Sequence, residues 1–373
     1  MEPLPSPKNP RNAPQRAARR SPVRVMVVDD SLTVRTVFSR MIENDPALQL
    51  TTTASNAERA IAILREKPVD VILLDLEMPG MGGLEALPKI LETAAGAQVL
   101  VVSSLTEDGA EHTVAALSMG AADTMLKPRP GGFDNAYRAT LLGKIHALGG
   151  LDREEAQARS QAHSADFRET AAAARQRQKQ PEVIAIGGST GAIHALNILL
   201  RNLPRSFDLP ILVTQHLPAN FIPVFARQVE MVAARPTRIA EDGTEIRRGE
   251  IAIATGHGHM VVKRERDRLV ARISAVPARS GCLPSVDPML ASLADCTNGH
   301  TLAVILSGMG RDGVEGAAEL VAAGGRVLAQ DQASSSVWGM PGAVVSQGIA
   351  TVALPPEALL KEILDCAGVT AWK

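Results

Sequence analysis

Apolar runs that alternate with amphipathic segments along most of the 373 residues predict an α/β fold, built as two doubly wound parallel-sheet domains joined by a linker. Two observations carry that prediction. Between Val23 and about Leu148 the runs VRVMVV, VDVILL, AQVLVV and DTMLK read as strands, and residues 32–43, 56–66, 83–94 and 109–119 read as helices. Residues 149–181 then lose their apolar content and become rich in Glu, Arg, Gln, Ala and Ser, after which the alternation resumes and lasts to the end.

In chain order, residues 1–22 are rich in Pro and Arg without apolar periodicity and predict a disordered basic tail. A solvated tail is favoured over a nucleic-acid-binding arm, because the remainder offers no matching surface. Residues 23–148 form the first domain, 149–181 a partly helical linker, and 182–373 the second domain. In the second, the apolar runs EVIAI, ILVTQ, TLAVILS and RVLAQ read as strands, with helical patterns after EVIAI and TLAVILS. Residues 236–276, richer in short alternating strands, predict a hairpin-bearing excursion.

Composition removes several function classes. Lys plus Arg (39) nearly balances Asp plus Glu (40), so no basic surface for nucleic acid or membrane is indicated. Aromatic residues are 2% of the chain, too few for stacking on bases. No helix-turn-helix pattern or basic recognition helix follows the linker, which argues against a DNA-binding output. Three widely spaced cysteines, Cys282, Cys296 and Cys366, give no disulfide framework and fit a reducing cytoplasm. No apolar stretch approaches a membrane span and no signal-peptide core is present, so a soluble cytoplasmic protein without membrane insertion is expected.

In the first domain, chemistry gathers at strand ends. Asp29 and Asp30 follow VRVMVV, Asp75 ends VILLD, Ser103 follows the next strand, and Lys127 precedes Pro128 after the last. The carboxyl rim is where open α/β sheets bind ligands. Three carboxylates there repel one another unless they hold a cation, and oxygen-only ligands suit Mg²⁺. Lys127 could neutralise a phosphoryl group placed on Asp75, and Ser103 could donate a hydrogen bond to it. The plainer reading makes Asp29 and Asp30 helix caps and Lys127 a solvated charge.

The VVDDS pair, DLEMPGMGG, VVSS and LKP make residues 23–145 resemble the receiver domain of bacterial response regulators. The resemblance implies a flavodoxin-like fold, and phosphorylation of Asp75 by a partner histidine kinase with Mg²⁺ held at Asp29, Asp30 and Asp75. Two positions depart from the family pattern: Thr124 stands where an aromatic residue is usual, and Gly82 where an Asp is common.

In the second domain GGSTG (187–191) and GMGRDG (308–313) each lie between an apolar run and a helical pattern, and His216 ends the run ILVTQ. Ser189, His216 and Asp312 thus sit at three strand ends, a set suited to acyl transfer. Each residue alone has a plainer role: Ser189 a helix N-cap, His216 a core histidine, Asp312 a cap of VEGAAELVAAG. GMGRDG also matches a dinucleotide fingerprint, with Asp331 as a ribose acid. Asp312 would repel a pyrophosphate there, and about 40 residues after Asp331 are too few to complete the fold. GGSTG matches a nucleophile elbow, although the order Ser, His, Asp differs from that of α/β-hydrolases. A zinc site from His257, His259, His216 and a Cys has no characteristic second ligand pair.

AIGGSTGA, VTQHLP, AEDGTEIRRGEIAIATGHGH, PSVD, LSGMGRDG and AQDQASSSVWGMP make residues 182–355 resemble the catalytic domain of the chemotaxis protein-glutamate methylesterase (CheB) family. The resemblance implies a Rossmann-like domain with Ser189 as nucleophile, His216 as base, Asp312 as its orienter and the Met309 backbone N–H as oxyanion donor. It further implies hydrolysis of glutamate γ-methyl esters on methyl-accepting chemoreceptors, release of ammonia from certain glutamines, and no cofactor for the esterase reaction. Before PSVD the family usually carries Asn and His with a basic residue; this chain reads SGCL, with Ser280, Cys282 and Leu283, and Ala192 ends its STG turn. A phosphorylation switch fused to a hydrolase suggests gating, in which the unphosphorylated receiver blocks the Ser189 cleft. The alternative is a degenerate receptor-binding scaffold that acts as a phosphate sink.

Overall fold

The computed structural model describes residues 21–94, 96–104, 106–128, 132–150 and 179–369. The tail expected at 1–22 and the linker expected at 149–181 lie almost wholly outside the described residues.

Five parallel strands build the first sheet: β1 (Val23–Val28), β2 (Leu48–Ala54), β3 (Val71–Asp75), β4 (Gln98–Ser103) and β5 (Asp123–Leu126). Their order is β2-β1-β3-β4-β5. Val25, Met26 and Val27 of β1 and Ile72, Leu73 and Leu74 of β3 are at most 1% exposed, as continuous apolar strands covered on both faces should be. The connection reverses direction between β1 and β3, so a crevice opens at their carboxyl ends, where Asp29 and Asp75 lie.

Two elements of the first domain carry no clear sequence signal. The strand β2 (LQLTTTA) is buried only at Leu48 and Ala54, and its Thr run hides the period-2 signal, yet it pairs along all of β1. The helix α5 (Asn135–Leu148) starts at Asp134, whose carboxylate accepts the Tyr137 N–H at 2.8 Å, and buries Leu141, Ile145 and Leu148. The expected helices appear as α1 (Leu32–Glu43), α2 (Ala57–Leu64), α3 (Gly83–Thr93) and α4 (Glu107–Met119).

The second domain carries a seven-stranded parallel sheet of β6 (Val183–Gly188), β7 (Ile211–Gln215), β8 (Thr237–Ala240), β10 (Ile251–Ala254), β13 (Thr301–Ile305), β14 (Arg326–Gln330) and β15 (Val352–Leu354). The order β15-β14-β13-β6-β7-β10-β8 places its switch point between β6 and β13. A small antiparallel sheet joins β9 (Glu245–Ile246), β11 (His259–Glu265) and β12 (Arg268–Ser274). The excursion expected over 236–276 is therefore only partly separate. Its buried run IAIA becomes β10 and extends the main sheet, with β8 at the edge; only β9, β11 and β12 form the hairpin layer.

The two domains touch through α4. That helix packs on α6 (Ala192–Arg201) and α7 (Ile222–Ala233), and one apolar cluster joins Leu117 and Ala121 of the first domain to Phe221 and Phe225 of the second. Polar contacts frame it: Arg227 donates to Glu111 at 3.0 Å, Gln228 to the Ser118 hydroxyl, and His194 meets the Ser118 carbonyl at 3.2 Å.

Candidate active site and phosphoacceptor site

Strand β6 ends at Gly188 and the chain turns through Ser189, Thr190 and Gly191 into α6. Gly191 caps the helix with φ of +78°, and a Cβ there would lie 2.5 Å from Ser336, so a side chain is excluded on both counts. Ser189 is thus not the N-cap. Its amide donates to the Ser307 carbonyl at 3.0 Å, its carbonyl accepts from Gln215 Nε2 at 2.9 Å, and its half-buried hydroxyl has no hydrogen-bond partner among the described residues. The loop after β13 approaches closely: a Cβ on Gly308 would stand 2.9 Å from the Ser189 Cβ and 2.4 Å from Met340 Sδ. The next amide, Met309 N–H, has no acceptor among the described residues.

His216 follows β7, its amide tied to the Gly188 carbonyl at 3.0 Å. Its Nε2 meets Asp312 Oδ2 at 2.7 Å, and the Cys282 sulfur is a further neighbour of the ring. Asp312 is 1% exposed and does not cap the following helix α9 (Val314–Ala322), whose N-cap is Gly313. Its Oδ1 also accepts from the Ser285 hydroxyl at 2.6 Å, and its Oδ2 from the Val286 N–H at 2.7 Å. Burial alone would raise the Asp312 pKa; these donors outweigh it and hold the carboxyl well below the usual range. Burial would lower the His216 imidazole, but the bond to Asp312 and the adjacent Cys282 sulfur raise it to about 9, so the ring must shed a proton before it can serve as a base.

Ser285 and Val286, at the start of α8 (Val286–Cys296), lie in the PSVD segment and hold the Asp312 carboxylate, a contact that no spacing in the sequence signals. Ser285 is itself held by His259, whose Nδ1 accepts the Ser285 N–H at 3.0 Å. His259 therefore braces Asp312 through Ser285 rather than joining His257 in a zinc site. The loop GMGRDG turns its acid inward to His216, which leaves the dinucleotide reading without support.

At the other crevice, Lys127 Nζ lies 2.6 Å from Asp75 Oδ2 and 3.5 Å from Asp29 Oδ2. Burial raises the Asp75 carboxyl to about 6 against the opposing pull of Lys127. Asp29 is not a helix cap; Ser31 takes that position, and Asp29 Oδ1 accepts the Ser31 N–H at 2.8 Å. Carboxylate oxygens of Asp29, Asp30 and Asp75 lie within 4.8 Å of one another. Asp29 Oδ2 and Ser103 Oγ are buried without a hydrogen bond. Orphaned oxygens facing clustered carboxylates fit a hard divalent cation and an incoming phosphoryl group. Thr124, where an aromatic residue is usual, is buried with its hydroxyl unpartnered.

Two contacts bind the receiver directly to the elbow. Gly191 N–H donates to the Ala122 carbonyl at 2.5 Å, and the Thr190 hydroxyl donates to Asp123 Oδ2 at 2.6 Å. Asp123 also takes Lys144 Nζ at 2.5 Å. A receiver carboxylate thus faces the amino end of α6, the place where an anion is stabilised.

Fold and sites together define a five-stranded α/β domain with a crevice of clustered carboxylates and a lysine, joined to a second α/β domain that carries Ser189, His216 and Asp312 at strand ends. Residues 184–363 match the CheB methylesterase family, and residues 25–132 the response regulator receiver domain family. The chain is 38% identical to protein-glutamate methylesterase/protein-glutamine glutaminase 1 of Rhodospirillum rubrum, over 93% of this chain and 95% of that one. It is 38% identical to the protein-glutamate methylesterase/protein-glutamine glutaminase of Azospirillum brasilense, over 96% and 95%. The crystal structure of the Thermotoga maritima CheB methylesterase catalytic domain is 32% identical, covering 50% of this chain and 99% of that one, with a TM-score of 0.48. The chain belongs to the protein-glutamate methylesterase/protein-glutamine glutaminase (CheB) family. Among the described residues no helix is long and apolar enough to cross a membrane.

Proposed function

We propose that this protein is a cytoplasmic, phosphorylation-activated serine hydrolase that removes γ-methyl esters from glutamates of chemoreceptors during chemotactic adaptation and deamidates specific glutamines. The observation that carries the catalytic reading is the His216–Asp312 pair at 2.7 Å, in the crevice whose neighbouring strand end presents Ser189. His216 takes the Ser189 proton as the hydroxyl attacks the ester carbonyl, and the imidazolium that forms is stabilised by Asp312. The Met309 N–H receives the oxyanion. The imidazolium gives its proton to the departing methoxide and methanol leaves; water, deprotonated by the neutral His216, then releases glutamate from Ser189, which recovers its proton. With glutamine the imidazolium protonates the departing ammonia. No cofactor enters these steps.

In the receiver, spanning 23–148, Asp75 is the phosphoacceptor for a chemotaxis histidine kinase. Asp29, Asp30 and Asp75 would hold Mg²⁺, which supplies charge neutralisation for phosphoryl transfer. Lys127 and Ser103 contact the transferred group. Ser103 leads into α4, and α4 lies on the catalytic domain (182–373), so a pull on Ser103 loosens the contacts of Ala122 and Asp123 with the elbow. Until then these contacts keep a bulky receptor helix out. The test is mass spectrometry of a methylated receptor incubated with enzyme. Loss of methyl groups by wild type and none by Ser189→Ala is expected; equal loss by both removes Ser189 from the chemistry.

A further inference from the structure

Cys282 takes no part in the hydrolysis outlined above, and it lies in the SGCL segment where the chain departs from the family pattern. The structure nonetheless brings its thiol to the catalytic pair. Donor atoms of His216, Cys282 and Asp312 all lie within 4.8 Å of one another. Cys282 and His216 are partly exposed, so solvent ions reach them, while Asp312 forms the buried floor.

We infer that Cys282, His216 and Asp312 form an inhibitory site for a thiophilic divalent cation of the Zn²⁺ class. Thiolate, imidazole and carboxylate are the donor types Zn²⁺ selects, and the thiolate disfavours Mg²⁺. Tetrahedral ligands about 2.0–2.3 Å from zinc stand about 3.3–3.8 Å apart. An ion that replaces the shared proton must therefore open the Nε2···Oδ2 pair from 2.7 Å by roughly half an ångström. Binding expels the thiol proton and any proton on the ligating nitrogen, and leaves a fourth position to water. With one nitrogen on the metal, the neutral ring keeps its proton on the other and can no longer take the Ser189 proton. That inhibitory consequence rests on His216 being the base; metal binding itself does not.

The experiment titrates the full-length reduced protein with Co²⁺ in excess Mg²⁺, which occupies the receiver carboxylates, and follows thiolate-to-cobalt charge-transfer absorption. Methanol release is then measured with and without Zn²⁺. The band should appear in wild type, disappear in Cys282→Ala, and be displaced by Zn²⁺; removal of the ligand should weaken metal binding by about 100-fold or more. Zn²⁺ should inhibit wild type and spare Cys282→Ala, with Cys282→Ser as a second check on folding. No band, or a band that persists in Cys282→Ala and so belongs to Cys296 or Cys366, overturns the inference. A Cys282-dependent band without inhibition upholds the metal site and instead removes His216 as the base.

Discussion

Asp123→Ala should activate the resting enzyme. Asp123 lies at the amino end of β5, the opposite end of the sheet from Asp75, so its loss leaves Asp75 chemistry intact. Its Oδ2 accepts the hydroxyl of Thr190, the residue after Ser189, at 2.6 Å, and its side chain is only 13% exposed. A charge-assisted hydrogen bond of this kind contributes about 1.5–3 kcal/mol to the state that contains it. Its removal from the closed form alone raises the open population about 10- to 150-fold while the closed form dominates. Methanol release from methylated receptor membranes, without phosphodonor, should rise by that factor up to the ceiling of phosphorylated wild type. The response to a small phosphodonor should shrink to match. An unchanged basal rate with the full response retained, in a variant that still accepts phosphate at Asp75, would refute the latch.

Phosphorylation of Asp75 by a small phosphodonor should increase as pH rises through about 6, because the buried carboxyl must ionise to attack, and added Mg²⁺ should move that midpoint down. The sign for stability is opposite: with its folded pKa raised, Asp75 favours the folded state at low pH, and that contribution is lost as pH rises through about 6, visible as a falling Tm without metal. Ser103→Ala should leave Tm unchanged or slightly higher, since it deletes a buried hydroxyl without a partner, yet weaken the phosphodonor response. Ser285→Ala removes a donor to Asp312; kcat should fall more than KM changes, with about 1–3 kcal/mol lost in denaturant unfolding. Gly308→Ala should cost about 1–3 kcal/mol and most of the activity, because its methyl group would crowd Ser189 and Met340.

Residues at strand ends were legible because a parallel sheet converts position along the chain into position in space. Asp29, Asp75, Ser103 and Lys127 follow successive strands of one sheet, and Ser189, His216 and Asp312 follow β6, β7 and β13 of the other, so apolar runs alone located them. Strand β2 was hidden because an edge strand with one wet face needs no apolar run, and its Thr residues mimic a loop. The supports were hidden for a different reason. Ser285 reaches Asp312 from the start of α8, His259 reaches Ser285 from β11, and Asp123 reaches Thr190 from the other domain. Contacts over such separations leave no spacing signal. Cys282 was visible only as a departure from the family pattern, and its proximity to His216 emerges from the fold.

A serine hydrolase switched by its own receiver is tested by methanol release from methylated chemoreceptor membranes with and without a small phosphodonor. Wild type, Ser189→Ala and Asp75→Ala are compared at equal protein and Mg²⁺. Release should be stimulated by the phosphodonor in wild type, be absent in Ser189→Ala, and persist without stimulation in Asp75→Ala. Release that survives in Ser189→Ala, or stimulation that survives in Asp75→Ala, would contradict it.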